Sequence, residues 1–253
     1  MKIGILTLRL FKNYGGILQN YALSRFLQKN GYDVETINIV WSYQLNGVKK
    51  YFVWLKRLVR NMLIGKWYSL DEEKILRNNE LVAAQRVNAF KEKNIPLSQK
   101  VYSLPGADFS DISNKYDTII VGSDQVWRPK YTGGIEKYFL SFADNRIKKI
   151  AYSASFGTDK NEYSFYEKWV CGKLIKRFDA ISVREESAIS LIREQLHWDV
   201  DVIQTLDPTM LLDITDYKSL VGQVVNNNKI FVYILDSSVQ KISFVEKLEK
   251  VLC

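Results

Sequence analysis

At 253 residues, 47% of them hydrophobic and 25% charged, the chain has enough apolar material for a sizeable core, which excludes a disordered tail. The formal charge of +8 points to anionic partners: phosphorylated small molecules, acidic glycans or anionic lipid headgroups. Nucleic acid is set aside, because the basic residues are spread along the chain and no nucleic-acid motif is present. No window holds the ~18 uninterrupted apolar residues of a membrane span. Arg9 breaks the N-terminal run "MKIGILTLRLF" before it can act as a secretion signal, so the expected location is the cytoplasm. Cys171 and Cys253 form no metal-type spacing, and neither a disulfide framework nor a metal site is expected.

The first predicted element is a strand, "KIGILTL" (2–8), followed by a glycine turn. In "GGILQNYALSRFLQKNG" the residues Leu18, Tyr21, Ala22, Arg25 and Phe26 fall at helical spacing, and Gly31 is a natural stop. "DVETINI" (33–39) then completes a strand–helix–strand unit. Residues 41–100 break the rhythm with an aromatic, basic insertion and a charged helical stretch, "LDEEKILRNNELVAAQRVNAFKEKN". Strands resume at "YDTIIVG" (116–122), "KKIAYSA" (148–154) and "FDAISVR" (178–184). A helix over "REESAISLIREQL" (184–196), with Ala188, Ile189, Leu191 and Ile192 apolar, leads to a further strand at "VDVIQTL" (200–206). This alternation predicts an α/β fold, a Rossmann-like parallel sheet with helices on both faces.

A boundary is expected after "LDPTMLLD", giving a domain over 1–213. Residues 214–253 then begin a second α/β domain with one strand, "KIFVYIL" (229–235), and one helix, "SSVQKISFVEKLEKVLC". One strand and one helix cannot bury their apolar faces alone, so this second unit is expected to be incomplete.

In open parallel sheets, ligands sit outside the carboxyl ends of the strands. Four loops emerge there. In "RLFKNYGG", Asn13, Tyr14, Gly15 and Gly16 precede a helix whose backbone N–H groups can receive an anion; the competing reading is a plain tight turn. In "GSDQVWRP", Ser123 and Gln125 can hydrogen-bond a polyol, Asp124 can accept a proton and Trp127 can stack on a sugar; otherwise Asp124 caps the next segment and Trp127 is core. "SASFGTD" offers Ser153, Ser155 and Gly157 as a small-residue loop. In "VREES", Arg184 can hold a phosphate or carboxylate bidentately, or simply pair with Glu185 or Asp179. His197 lies away from all four loops and reads as structural. The stretch "VKKYFVWLKRLVRNMLIGKW" (48–67) places Lys49, Lys56, Arg57 and Arg60 opposite Trp54, Leu55, Leu58, Val59 and Met62. That suits peripheral contact with an anionic membrane; the competing reading is a helix packed on the sheet or at an oligomer interface, as most amphipathic helices are.

Several segments together, "NYGGILQNYAL" (13–23), "GSDQVW" (122–127), "KKIAYSASFG" (148–157), "ISVREESA" (181–188) and "LDPTMLL" (206–212), resemble the polysaccharide pyruvyl transferase family in composition and order. The resemblance implies a chain similar to the N-terminal half of a GT-B type two-domain enzyme. It implies an enzyme that moves the enolpyruvyl group of phosphoenolpyruvate onto a sugar, forming a pyruvate ketal in bacterial surface (capsular) polysaccharide biosynthesis. Phosphoenolpyruvate is then the donor substrate, with no cofactor; the acceptor is a sugar, for which a lipid-linked galactoside at the inner membrane face is the case considered. Carried over by position, Arg184 in Ser182-Val183-Arg184-Glu185 binds phosphate or carboxylate; for the reaction so implied, Asp124 is assigned to activating or orienting a hydroxyl. Asn13, Tyr14, Gly15, Gly16, Ser123, Gln125, Trp127, Ser155 and Glu185 are then substrate-binding. Nothing after Leu212 matches the family's Ser-x-His-Gly-like segment, so the acid that protonates the methylene carbon has no candidate here. Two alternatives share the architecture: a nucleotide-sugar glycosyltransferase, or a non-catalytic acceptor-binding or membrane-docking fragment.

Overall fold

The computed structural model describes residues 1–11, 13–41, 85–103, 109, 112, 114–221, 230, 232, 234 and 238–252. The chain divides into two compact units, Met1–Asp213 and Ile214–Cys253.

The first unit is built on a six-stranded sheet in which every neighbouring pair is parallel, in the order β2-β1-β5-β6-β7-β8. The strands are β1 (Lys2–Leu6), β2 (Asp33–Thr36), β5 (Thr118–Val121), β6 (Lys148–Ala154), β7 (Ala180–Val183) and β8 (Ile203–Gln204). Two three-residue strands, β3 (Ile39–Trp41) and β4 (Val101–Ser103), pair separately. The expected parallel sheet is present, and its central strands β1 and β5 are near-continuous apolar runs because both faces are covered.

Alternation along the strands sorts the core into two clusters. Ile3, Ile5, Val34 and Ile120 join Leu23 and Leu27 of α1 (Tyr14–Lys29) on one face. Leu6, Ile119, Val121 and Ala151 point the other way, with Cys171 and Ile175 of α3 (Phe165–Ile175) and Ala188 of α4 (Glu186–Ser190). Right-handed crossovers explain the split. From β1 the chain moves to β2 on one side and later from β5 through β8 on the other, so the connecting helices fall on opposite faces. Helix α4 runs on into a wide-turned stretch, Leu191–Gln195, as the sequence pattern over 184–196 anticipates.

Of the charged helical stretch in the insertion, the described part is α2 (Gln85–Asn94). The basic stretch 48–67 lies outside the described residues, as does most of the strand expected at 229–235. Among its described residues the second unit contributes helices α5 (Ile214–Lys218) and α6 (Val239–Leu252). Among the described residues, no helix is long and apolar enough to cross a membrane.

Candidate active site at the carboxyl rim of the sheet

Strand order reverses at β1, so the chain leaves β1 and β5 in opposite directions and opens a crevice above their carboxyl ends. Leu6 is in register with Val121, and the ladder continues one step further through Gly122 N–H to Leu6 O at 2.8 Å. Immediately beyond stand the helix turn Asn13–Gly16 on one side and Asp124 on the other.

Asn13 caps α1: its side-chain oxygen accepts the Gly16 N–H at 3.2 Å. Asn13, Tyr14 and Gly15 are exposed, whereas Gly16 is buried against the crevice. The reason for glycine at 16 is steric. A Cβ there would sit 2.7 Å from Asp124 Oδ2, so the carboxylate and the first turn of α1 share one space. Asp124 Oδ1 accepts the Gln125 N–H at 2.8 Å. Burial, reinforced by the charge of Asp207, pushes the Asp124 carboxyl above the usual carboxylate range despite the opposing pull of the Gln125 N–H and Arg184.

Arg184, at the end of β7, ties four segments together. Its Nη1 donates to Ser123 O at 3.2 Å and to Asp207 at 3.5 Å, its Nη2 to Ser155 Oγ at 3.3 Å, and its Nε to Glu185 Oε1 at 2.8 Å. The guanidinium therefore stands on the same rim as Asp124, held through the carbonyl of the residue before it. It is also already paired with Glu185 and Asp207, with about a third of its side chain exposed (32%). An anion arriving at Arg184 must displace one of those carboxylates or share the cation with them.

Three of the expected substrate-binding residues are corrected by their burial. Trp127 has no exposed surface: its ring stacks on Phe139 with centroids 4.9 Å apart, packs on Phe156 and Phe178, and donates Nε1–H to Tyr138 O at 3.1 Å. No face is left for a sugar, and the core reading of this residue is the one the structure supports. Ser123 and Ser155 are fully buried as well. Ser123 Oγ donates to Asp207 at 2.9 Å, and Ser155 Oγ donates to Glu185 at 2.8 Å while accepting the Gly157 N–H at 3.0 Å. These hydroxyls fix the rim from beneath and do not line it. Gln125 is partly exposed, with its carbonyl oxygen held by Arg128 at 3.2 Å; Glu185 is partly exposed beside Arg184.

A bulge delivers Ser155. The pairing of β6 with β7 shifts register between Ala151 and Ala154, and Ser153 within it has φ 52°, a left-handed conformation that a non-glycine residue adopts at a cost. The shift is supported by the Ser153 N–H bonding to Ser182 Oγ at 2.8 Å.

Two groups at the rim are not singled out by the local sequence pattern. Gln19 is buried in α1, donates to Gly16 O at 2.8 Å and Thr7 Oγ1 at 3.3 Å, and accepts the Ser123 N–H at 3.3 Å. It locks the helix turn to the ends of β1 and β5. A polar residue on the inward face one turn after the glycines is its only signal. Asp207, in "LDPT", caps a short turn by accepting from Thr209 N–H and hydroxyl, and also receives Ser123 and Arg184. Burial pushes its carboxyl up, but these donors outweigh it and hold the group below the ordinary range. Tyr138 lies close enough for the Asp124 charge to add to burial in raising its phenol.

Among the described residues, no group of three or more His, Cys, Asp or Glu gathers as for a metal. Exposed His197 lies away from the rim, in a left-handed turn at φ 54°. Cys171 is a buried free thiol in the core.

A family model for polysaccharide pyruvyl transferases matches residues 13–250. The chain belongs to the polysaccharide pyruvyl transferase family. No curated protein matches it. Two solved structures are similar. One is an α-glucosyltransferase in complex with UDP and a 13-mer DNA containing a HMU base, at 13% identity, covering 88% of this chain and 46% of that one, TM-score 0.46. The other is an α-glucosyltransferase in complex with UDP, at 11% identity, covering 82% and 44%, TM-score 0.41. This pyruvyl transferase-family chain spans about half the length of both, and at such identities and TM-scores neither bears on what it does.

Proposed function

We propose that this chain belongs to an enzyme that transfers the enolpyruvyl unit of phosphoenolpyruvate to a sugar, closing a pyruvate ketal and releasing inorganic phosphate. Protonating the methylene carbon makes the substituted carbon cation-like; one sugar hydroxyl adds, phosphate leaves, and a second hydroxyl completes the ketal. Such a reaction asks for a base near a hydroxyl and a cation near the leaving phosphate. The observation that carries the reading is the shared rim. Asp124, whose burial makes it a stronger base once ionised, adjoins Ser123, whose carbonyl accepts from Arg184. Asp124 takes the hydroxyl proton, and Arg184 faces phosphate or carboxylate after exchanging a carboxylate partner. Asn13, Tyr14 and Gly15 are exposed in the helix turn whose Gly16 meets Asp124. The enzyme works in the cytoplasm on intermediates of a surface polysaccharide, with the methylene acid supplied from outside the described residues.

The test is thermal unfolding of the chain with phosphoenolpyruvate, inorganic phosphate or UDP. A ligand at a hundredfold excess over its Kd stabilises the fold by about 2.7 kcal/mol. Phosphoenolpyruvate should raise the midpoint, and Arg184→Met should abolish the rise. Protection by UDP with none by phosphoenolpyruvate overturns the reading. So does absence of phosphate release by the full-length enzyme across a panel of galactosides and mannosides.

A further inference from the structure

Helix α3 is apolar on two sides, and only one is covered. Cys171 and Ile175 are fully buried against the sheet. On the outer side Phe165 is 90% exposed, Tyr166 68% and Trp169 55%. Residues 165, 169, 173 and 176 recur at near-helical spacing, so Phe165, Trp169, Lys173 and Lys176 form one stripe. A groove of about 400 Å³ runs along it, bounded further by Lys168 and His197. A soluble surface rarely leaves adjacent aromatic rings this open without a partner.

We propose that this stripe docks the protein on an anionic lipid surface. Charge selects that occupant. Three lysines border the groove and none of its lining residues is acidic. The nearby Glu162 is held by Arg128 and Lys130, and Glu167 is committed to the capping box with Ser164. Composition agrees: exposed Phe, Tyr and Trp with lysines among them is the make-up of helices that lie in the headgroup region. Stacked sugars fit less well, because Lys173 Nζ lies 3.6 Å from the centroid of the Trp169 ring and covers one of its faces. A lysine there can lift toward headgroups while its stem stays along the indole. The eleven residues of α3 extend about 16 Å, long enough to lie flat with Phe165 inserted. Local packing keeps the face clear, since Gly172 has no side chain and Trp198 fills that space, donating Nε1–H to Lys168 O at 3.1 Å. Lys168 is partly engaged, through Gln195 O at 2.9 Å, which leaves Lys173 and Lys176 as the main contributors.

This surface is independent of the reaction proposed above, and its test involves no turnover. The full chain is floated with vesicles of phosphatidylcholine alone, or of phosphatidylcholine mixed with phosphatidylglycerol. Binding is expected only to the anionic vesicles and should weaken with salt. Each lysine near such a surface is worth about 1 kcal/mol, about fivefold in partition, so Lys173→Gln with Lys176→Gln should lower binding about 25-fold. Phe165→Ser with Trp169→Ser should remove most of it, with folding checked by circular dichroism; Phe165→Ser alone covers the case in which the double variant unfolds. Unchanged binding by the Phe165 and Trp169 variants overturns the proposal. So does loss of binding only with Lys56→Glu and Arg60→Glu in the 48–67 stretch. A concentration-dependent dimer abolished by Trp169→Ser, or capture by a soluble acidic polysaccharide without vesicle binding, overturns it too.

Discussion

Gly15 and Gly16 are neighbours in sequence, both in the first turn of α1, and the structure assigns them opposite tolerance. Neither has a left-handed backbone, so alanine can adopt both conformations, and helix propensity favours the change by up to about 1 kcal/mol. At Gly15 the nearest atom to a new Cβ is Asn13 Oδ1 at 3.4 Å, so Gly15→Ala should raise stability by roughly 0.5–1 kcal/mol. At Gly16 the Cβ would meet Asp124 Oδ2 at 2.7 Å and Asn13 Nδ2 at 3.2 Å. Ordinary contact begins near ~3.5 Å, so the carboxylate must withdraw by the better part of an ångström and loosen its bond to the Gln125 N–H. A misplacement of that size at a reacting group costs about a hundredfold in rate, about 2.7 kcal/mol. The assay compares phosphate release by the full-length enzyme with the unfolding midpoint of each variant. Gly16→Ala should lose turnover with little loss of stability, and lose more turnover than Gly15→Ala does. Equal turnover in the two variants would refute the placement of Asp124 in the reacting crevice.

Asp124→Asn should stabilise the fold at neutral pH, because a carboxyl raised by burial contributes fully only below its unfolded pKa and loses that contribution as pH rises through its folded value. Urea midpoints of wild type and variant should converge as pH falls toward ~4; a wild type more stable than the variant at neutral pH contradicts this. Asp207→Asn should behave oppositely. Its folded carboxyl is depressed, so the stability it adds is present above the unfolded pKa and lost as pH falls through the folded value. The expected loss near pH 7 is about 1–3 kcal/mol, shrinking in acid, and a pH-independent loss would assign the effect to packing. Gly157→Ala combines a left-handed φ of 62° with overlap onto the Gln125 amide. It should destabilise by at least about 1–2 kcal/mol in a melt, and a neutral result would mean that Gln125 moves freely.

Strands β1, β5 and β7 are legible because each is a short apolar run bounded by turn residues, and a parallel sheet buried on both faces needs such runs. Helix α3 escapes the same test for the opposite reason. Phe165 and Trp169 face out while Cys171 and Ile175 face in, so no polar side marks its period. Its one clear sign is the capping box, in which Ser164 accepts the Glu167 N–H and Glu167 returns the bond. Strands β3 and β4, three residues each and separated by the insertion, are too short to carry a pattern. At the rim, the sequence places the polar cluster after β5 but cannot say which way each side chain turns. Ser123 goes down to Asp207, Asp124 up into the crevice and Trp127 into the core. Those directions depend on Gln19, Ser155 and Asp207, partners remote in sequence.

The proposed donor imposes a charge condition on this rim. Arg184 stands between Glu185 and Asp207, and Asp124 lies close enough to feel both Arg184 and Asp207. With all three carboxylates ionised, the cluster repels a phosphate ester, though the partial exposure of Arg184, Glu185 and Asp207 moderates the cost. A proton on Asp124 removes one of those charges, and burial already favours it. Donor binding and Asp124 protonation are then linked: each should promote the other, and phosphoenolpyruvate should bind more tightly as pH falls toward the Asp124 value. In the proposed reaction Asp124 ionises for the first hydroxyl as Arg184 turns away from Glu185, and for the second as the phosphate leaves. In Asp124→Asn the linkage disappears, so donor affinity should lose this pH dependence while hydroxyl activation fails. A variant that keeps the wild-type pH dependence of donor binding would place the linked proton on another group and separate Asp124 from the donor.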